Sequence, residues 1–485
     1  MLQRRIDASQ IFRNLDWFTV LLYLLMVAAG VISIYAASYD YDNASMFDFN
    51  EFSGKQALWI TLSLGLAFII LLIDNRMYEA YAYPIYVLVM ILLLITPFLA
   101  PDIKGSRSWL VFGPVSLQPA EFAKFATALA LAKLFSSYNF VLNAKLSNYF
   151  RAVGIIVLPI LLILAQKETG SALTFLALFF VLYREGMSGL ILFGAVFAVV
   201  IFVVAIKFTA LGALGIPSGQ FWIMIAVLGI ILAMLFIYNR RWPLVRNVLC
   251  AYGSFALLTG ILALCNVHIP GLPILLTFIF GICVYIVIEA LQRRNFKLFI
   301  PVATAVLSIV FMFSVNFAFD HLQPHQQRRI NVVLGIEDDI RGAGYNVNQS
   351  KIAIGSGGFA GKGFLNGTQT KLKYVPEQHT DFIFCTIGEE EGFIGTTAVM
   401  LLFIALILRV IFISERQPTI FGRVYGYCVA SYLIFHFCIN IGMVIGLCPV
   451  IGIPLPFFSY GGSSLWGFTI LLFILLKIDC GRKIK

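Results

Sequence analysis

Long apolar runs recur along almost the whole chain, and nothing else in the sequence restricts its fold so strongly. About fourteen segments are long enough to cross a bilayer or to nest among others that do. They are Trp17–Ala37, Ala57–Ile73, Tyr83–Ala100, Pro119–Phe135, Val153–Gln166, Ser171–Tyr183, Ser188–Lys207, Phe221–Tyr238, Leu249–Cys265, Leu272–Ile288, Phe296–Phe317, Phe393–Ile413, Val424–Gly446 and Gly461–Leu476. Only 12% of residues are charged and 60% are hydrophobic, whereas a soluble domain carries about a quarter charged. Backbone groups in lipid must be satisfied within the segment itself, which for runs of this length means helices. The expected fold is therefore an all-α polytopic membrane protein with about fourteen transmembrane helices. The fifth and sixth runs are short and meet at Gln166-Lys167-Glu168-Thr169-Gly170, which predicts a tight or partly buried turn. No small-residue cleavage site follows the first run, so it is expected to be a span rather than a leader.

The formal net charge of +10 does not indicate nucleic acid, because the cations alternate between loops instead of forming one patch. Arg76, Lys133, Lys145, Arg151, Arg184, Arg240, Arg241, Arg246, Arg293, Arg294, Lys297, Arg416, Arg423 and Arg482 fall on one side if each run crosses once. That pattern places this side, with both termini, in the cytoplasm. The outer loops are then Ser38–Gln56, Pro101–Gln118, Phe319–Gly392 and Leu447–Tyr460. The third breaks the charge pattern: it carries Arg328, Arg329, Arg341, Lys351, Lys362, Lys371 and Lys373. Long loops are largely exempt from the rule, but the cations still call for an explanation. The eight cysteines are scattered, mostly inside apolar runs, without a CxxC pair. They read as small apolar side chains.

The long loop also holds Gly355-Ser356-Gly357-Gly358-Phe359-Ala360-Gly361-Lys362-Gly363 and Gly367-Thr368-Gln369. Glycines permit close backbone approach, so the loop amides and Lys362 are suited to cradling an anion. The spacing is not that of a Walker A loop. Glu337-Asp338-Asp339 supplies carboxylates nearby, either as a solvated face or as a base beside an anion. His379-Thr380-Asp381 has metal-ligand spacing without a partner set, so hydrogen bonding is the expected role. Within the spans, Glu121 and Lys124 lie three apart on one helix face and are expected to pair beside a hydrated cavity. His436 and Asn440, one turn apart, are expected to make interhelical hydrogen bonds.

Several of these stretches together resemble a known family. Gly342-Ala343-Gly344-Tyr345, Gln349 through Gly358, Gly361-Lys362-Gly363, Gly367-Thr368-Gln369, Pro376 through Phe384 and Gly388-Glu389-Glu390 follow in order. Pro454 through Ser464 and Gln118-Pro119-Ala120-Glu121-Phe122-Ala123-Lys124 complete the set. The chain resembles the SEDS family (shape, elongation, division and sporulation), its elongation branch more than its division branch. The resemblance implies a peptidoglycan glycosyltransferase that polymerises lipid II during cell elongation in a bacterial inner membrane. It implies a class B penicillin-binding protein and other elongation-complex membrane proteins as partners, besides membrane lipids. The family's loop aspartate falls on Asp339 as catalytic base, with Ile340 in place of the usual proline. Lys362, Lys104 and Arg107 are expected near the substrate pyrophosphate, and Glu121 and Lys124 below it. Gln369, His379 and Asp381, inside the matching motifs, are further candidate substrate-cavity residues. A divalent cation such as Mg2+ is compatible with this chemistry, although the sequence offers no ligand set for one. The family core has about ten spans, so residues 209–297 are expected to be inserted helices within a single domain 1–485, whose long outer loop 318–392 bears the site. A lipid II flippase and a non-catalytic scaffold remain the alternatives.

Overall fold

The computed structural model describes residues 12–39, 48–49, 51–103, 105–113, 115–211, 216–239, 242–265, 271–322, 324–336 and 344–482. Among them, 12 helices are long and apolar enough to cross a membrane by length and composition. The other two apolar runs are helical as well but differ in kind. Pro119–Phe135 is a 17-residue helix carrying two buried charges. The sixth run is broken into Thr169–Thr174, a 3-10 turn over Phe175–Ala177, and Leu178–Arg184. The expected all-α polytopic membrane fold is what the chain adopts.

The chain separates into two compact units, Met1–Met187 with Ile340–Lys485, and Ser188–Asp339. In the first, the Pro119–Phe135 helix is central. It packs against Ala82–Leu99, Leu146–Ala165, Ile420–Val444 and Gly462–Arg482. Its sequence explains the position: Ala120, Ala123, Ala126, Ala128, Ala130 and Ala132 all have 0% exposure. Small side chains let neighbouring backbones approach on every side, where van der Waals packing must replace the hydrophobic effect. A helix buried all round has no lipid face, so its charged residues must be satisfied inside the bundle.

One end of this unit is tied by ion pairs. Asp16, just before the first span, accepts from Arg409 at 2.8 Å and Arg416 at 2.9 Å. Arg416 also holds Asp479 near the end of the last span, and Arg423 pairs with Glu185 at 2.9 Å. Lys477, 2% exposed, donates to the Leu71 carbonyl at 2.7 Å. That carbonyl is among the last of the Phe52–Leu72 helix, where helical partners run out and a cation suits the helix dipole.

The second unit comprises Gly189–Lys207, Ser218–Asn239, Trp242–Leu264, Gly271–Gln292, Phe299–Asp320 and Pro324–Leu334. It has its own core, with Met224, Ile231, Leu235, Ile279, Ile286 and Met312 almost fully buried. An apolar cavity of about 540 Å³ lies among Phe221, Leu228, Tyr252, Phe255 and Phe278.

Candidate functional site

At the other end of the first unit lie the segments between the long helices that carry most of the candidate residues. The 101–118 segment forms a short hairpin, Leu110–Phe112 against Val115–Leu117, and docks on the turn at 166–170. Ser106 and Ser108 donate their hydroxyls to Glu168, both at 3.1 Å, and the Arg107 amide donates to the Gln166 carbonyl. Gln166 is itself buried and donates to the Leu93 carbonyl at 2.8 Å. Within the turn, Lys167 takes a left-handed φ of 61°. The hairpin is anchored in turn by Ser463, whose hydroxyl donates to the Ser116 carbonyl and accepts from the Gln118 amide.

Ser463 follows a stretch at 454–460 that is buried although not helical: Leu455, Phe457, Phe458 and Ser459 are all at most 5% exposed. Irregular backbone at this depth survives where its polar groups find partners inside the protein. Here Ser459 accepts from the Leu455 amide at 2.8 Å, and the Pro454 carbonyl faces His436 Nδ1 at 3.1 Å. Asn440 donates to the Asp381 and Ile453 carbonyls at 2.9 and 2.8 Å. Asn440 therefore bonds to non-helical carbonyls and not to another helix as expected, whereas His436 does meet a neighbouring helix, through Lys124.

Below lies the buried pair. Lys124 Nζ donates to Glu121 Oε1 at 2.7 Å and lies 3.0 Å from His436 Nε2 and 4.8 Å from the Phe468 ring centroid. Since Lys124 is 0% and Glu121 3% exposed, the pair does not face open water as expected. It is a sealed internal link between the central helix and the Ile420–Val444 helix. His436 brings the 454–460 stretch into the same chain of contacts.

The loop 355–372 was expected to cradle an anion, and it does, but the anion belongs to the protein. Glu389 is fully buried and accepts from Lys362 Nζ at 2.8 Å and from the Gln369 and Thr370 amides at 2.9 Å each. Thr368 adds its hydroxyl at 3.2 Å, while the Ser356 hydroxyl, 3.4 Å away, donates to the Ala353 carbonyl at 2.8 Å. Burial alone would raise the Glu389 pKa, yet the Lys362 bond and the two amides outweigh it and hold the carboxyl below its ordinary value. The loop glycines serve close packing. A Cβ on Gly357 would collide with the Gly388 carbonyl, and Gly361, at φ +79°, would strike the Glu390 carbonyl. Lys362 and Gln369 thus lie in one knot with Glu389, a residue the sequence reading had noted only as part of a motif.

The next residue behaves oppositely. Glu390 is 2% exposed and its Oε1 has no hydrogen-bond partner. Burial pushes its pKa up to about 7, against an amide bond from Leu365 and the charge of Lys371. A raised carboxyl pKa adds stability at low pH that is lost as pH rises through about 7. The loop should therefore be better protected at pH 6 than at pH 8, a difference of about 1–2 kcal/mol. Glu390→Gln should remove that difference, measured as amide exchange over 361–372. An undiminished pH difference in the variant would show that another group is responsible.

The remaining candidates are placed as follows. His379 stacks on Phe52 at 4.1 Å between centroids, meets Tyr460 edge-on, and accepts the Tyr460 amide on its carbonyl. Asp381 lies beside Gly452 and offers its carbonyl to Asn440. Arg107 is 60% exposed, 4.0 Å from Asp102. Lys104 and the run 337–343, which contains Asp339, lie outside the described residues. Among the described residues no three His, Cys, Asp or Glu side chains are grouped to hold a metal ion, and no step is assigned to one. Gln378 was not singled out from sequence. Buried at 5%, it joins the loop to the first span by donating to the Thr370 and Ala37 carbonyls.

Both the sequence and the fold have counterparts among known proteins. The sequence profile of the FtsW/RodA/SpoVE family, described as cell cycle protein, matches residues 16–214 and 223–484. The chain is 30% identical over 424 residues to the peptidoglycan glycosyltransferase MrdB of Escherichia coli K12, covering 87% of this chain and 84% of that one. It is 28% identical over 467 residues to the peptidoglycan glycosyltransferase RodA of Treponema pallidum, covering 96% and 98%. Among solved structures, a chain of a peptidoglycan synthase complex that coordinates polymerization and crosslinking superposes with a TM-score of 0.58 at 22% identity, over 97% and 99% of the two chains. The rod shape determining protein RodA of Thermus thermophilus gives 0.54 at 21% identity, over 96% and 97%. These two likenesses are of fold.

Proposed function

Because the chain belongs to the FtsW/RodA/SpoVE family of cell cycle proteins, we propose that its reaction is inverting sugar transfer from lipid II, with Asp339 as the base. The protein is a peptidoglycan glycosyltransferase of the cell-elongation type. The observation that carries this is the 30% identity to a glycosyltransferase over most of both chains. In the transfer, Asp339 takes the proton of the acceptor hydroxyl as that oxygen bonds to the anomeric carbon of the donor sugar. The bond from that carbon to the lipid pyrophosphate breaks at the same time, and the pyrophosphate departs with the electron pair. Such a leaving group needs cations more than it needs an acid. Arg107, exposed on the docked hairpin, is better suited to that role than Lys362, whose charge Glu389 already meets.

The membrane partner is a class B penicillin-binding protein, supported by the fold likeness to a chain of a synthase complex. Lipid II is the substrate, and both termini face the cytoplasm. The orientation rests on the cation alternation, and the ion-paired end of the bundle holds Asp16, Arg416 and Asp479. A membrane-impermeant thiol reagent applied from outside should label Asn366→Cys and spare Tyr138→Cys, two positions exposed in the structure. The reverse pattern would place the loop on the wrong side for this chemistry. The function itself is tested by incubating the purified chain with lipid II, alone and with its partner. Glycan polymer is the expected product, and its absence in both reactions would reject the assignment.

A further inference from the structure

We propose that Glu389 is a positioning residue for the sugar transfer: it is the anion around which the loop 355–372 is built, and Lys362 acts on it and not on substrate. The inference rests on the glycosyltransferase reading above. Four donors converge on this one carboxylate: the Lys362 ammonium, the Gln369 and Thr370 amides, and the Thr368 hydroxyl. No contact with substrate is available to a side chain with 0% exposure, so Glu389 cannot serve as a base or nucleophile. Its effect must pass through the loop it organises.

The donors come from separate stretches of that loop. Lys362 lies in the glycine run, and Thr368, Gln369 and Thr370 open the next short helix. The backbone reinforces the same register, with the Lys362 amide donating to the Glu389 carbonyl at 3.0 Å and the Gly363 amide to Glu390 at 2.9 Å. Lys362 also donates to Thr368 Oγ1 at 2.7 Å. Both its ammonium contacts therefore lie within the knot. Removing the carboxylate would leave the half-buried Gln369 amide and the buried Thr370 amide without an acceptor and Lys362 with the Thr368 hydroxyl alone, and the loop would have to open to let water reach them.

The test uses the purified full-length chain and its Glu389→Gln, Lys362→Met and double variants, with lipid II as the probe. Polymerisation is measured as kcat and KM, and amide exchange over 355–372 is measured without substrate. Glu389→Gln should speed exchange in the loop at least about tenfold and lower kcat about tenfold or more, with KM for lipid II within about threefold of wild type. Lys362→Met should act in the same direction, and the double variant should be no worse than the poorer single one, since the two residues form one unit. A large rise in KM for Lys362→Met, with Glu389→Gln close to wild type, would overturn the proposal and put Lys362 on the pyrophosphate. Unchanged exchange in Glu389→Gln would overturn it equally. If Glu389→Gln does not insert, Glu389→Asp, which is too short to keep every donor, should show a milder form of the same exchange and kcat changes. A wild-type chain that makes no polymer would reject the glycosyltransferase reading, while the exchange measurements would still decide whether Glu389 holds the loop.

Discussion

Asp339→Asn is expected to eliminate glycan strand formation, lowering turnover by about 10²–10⁴-fold, while membrane insertion, lipid II binding and partner binding stay normal. Asparagine keeps the size and most hydrogen-bonding capacity of aspartate but cannot accept a proton from the sugar hydroxyl. The loss should therefore fall on kcat, with KM little altered. Asp338→Asn removes the same charge one residue earlier and should cost less than about threefold, which separates proton transfer from a general loss of loop charge. Comparable losses in both variants would mean that the acidic run acts through its field, and no single base would then be identified.

The second large effect is expected on folding. Glu121 and Lys124 meet at 2.7 Å with almost no exposure, and removing one partner leaves the other charge buried. Glu121→Gln or Lys124→Met should each cost about 3–5 kcal/mol, while the double Glu121→Gln/Lys124→Met should lie much closer to wild type. His436 can accept from Lys124 and softens the first of these losses without replacing the carboxylate. Thermal unfolding in detergent, followed by loss of monodisperse protein, reads the difference. Simple addition of the two single effects would show that the pair is not coupled and that the charges are held by other groups.

The architecture was legible in the sequence because burial in lipid leaves a one-dimensional trace. The runs from Trp17 to Leu476 reappear as helices, even where Pro119–Phe135 is too short and too charged to count as an ordinary span. The pairing of Glu121 with Lys124 could be read because helical spacing puts them on one face. Their third partner could not, since His436 lies 312 residues further on and only the packed bundle brings it there. Lys362 was recognisable as an anion-binding cation, but not the source of its anion. Glu389 and Glu390 are adjacent and chemically alike, yet four donors surround one and an oxygen of the other is left unpaired. That division follows from which groups of the loop reach each carboxylate, a tertiary fact that composition does not encode. Gln378 was missed for a similar reason, because a buried amide bridging two carbonyls has no sequence signature of its own.

The most direct test of the central claim places the wild-type chain and Asp339→Asn in vesicles that contain lipid II and no other synthase. Polymer and lipid II translocation are followed in the same sample. The wild type should form glycan strands and Asp339→Asn should form none, with whatever translocation occurs equal in the two. Translocation by the wild type without polymer, lost in Asp339→Asn, would contradict the glycosyltransferase account and identify a transporter.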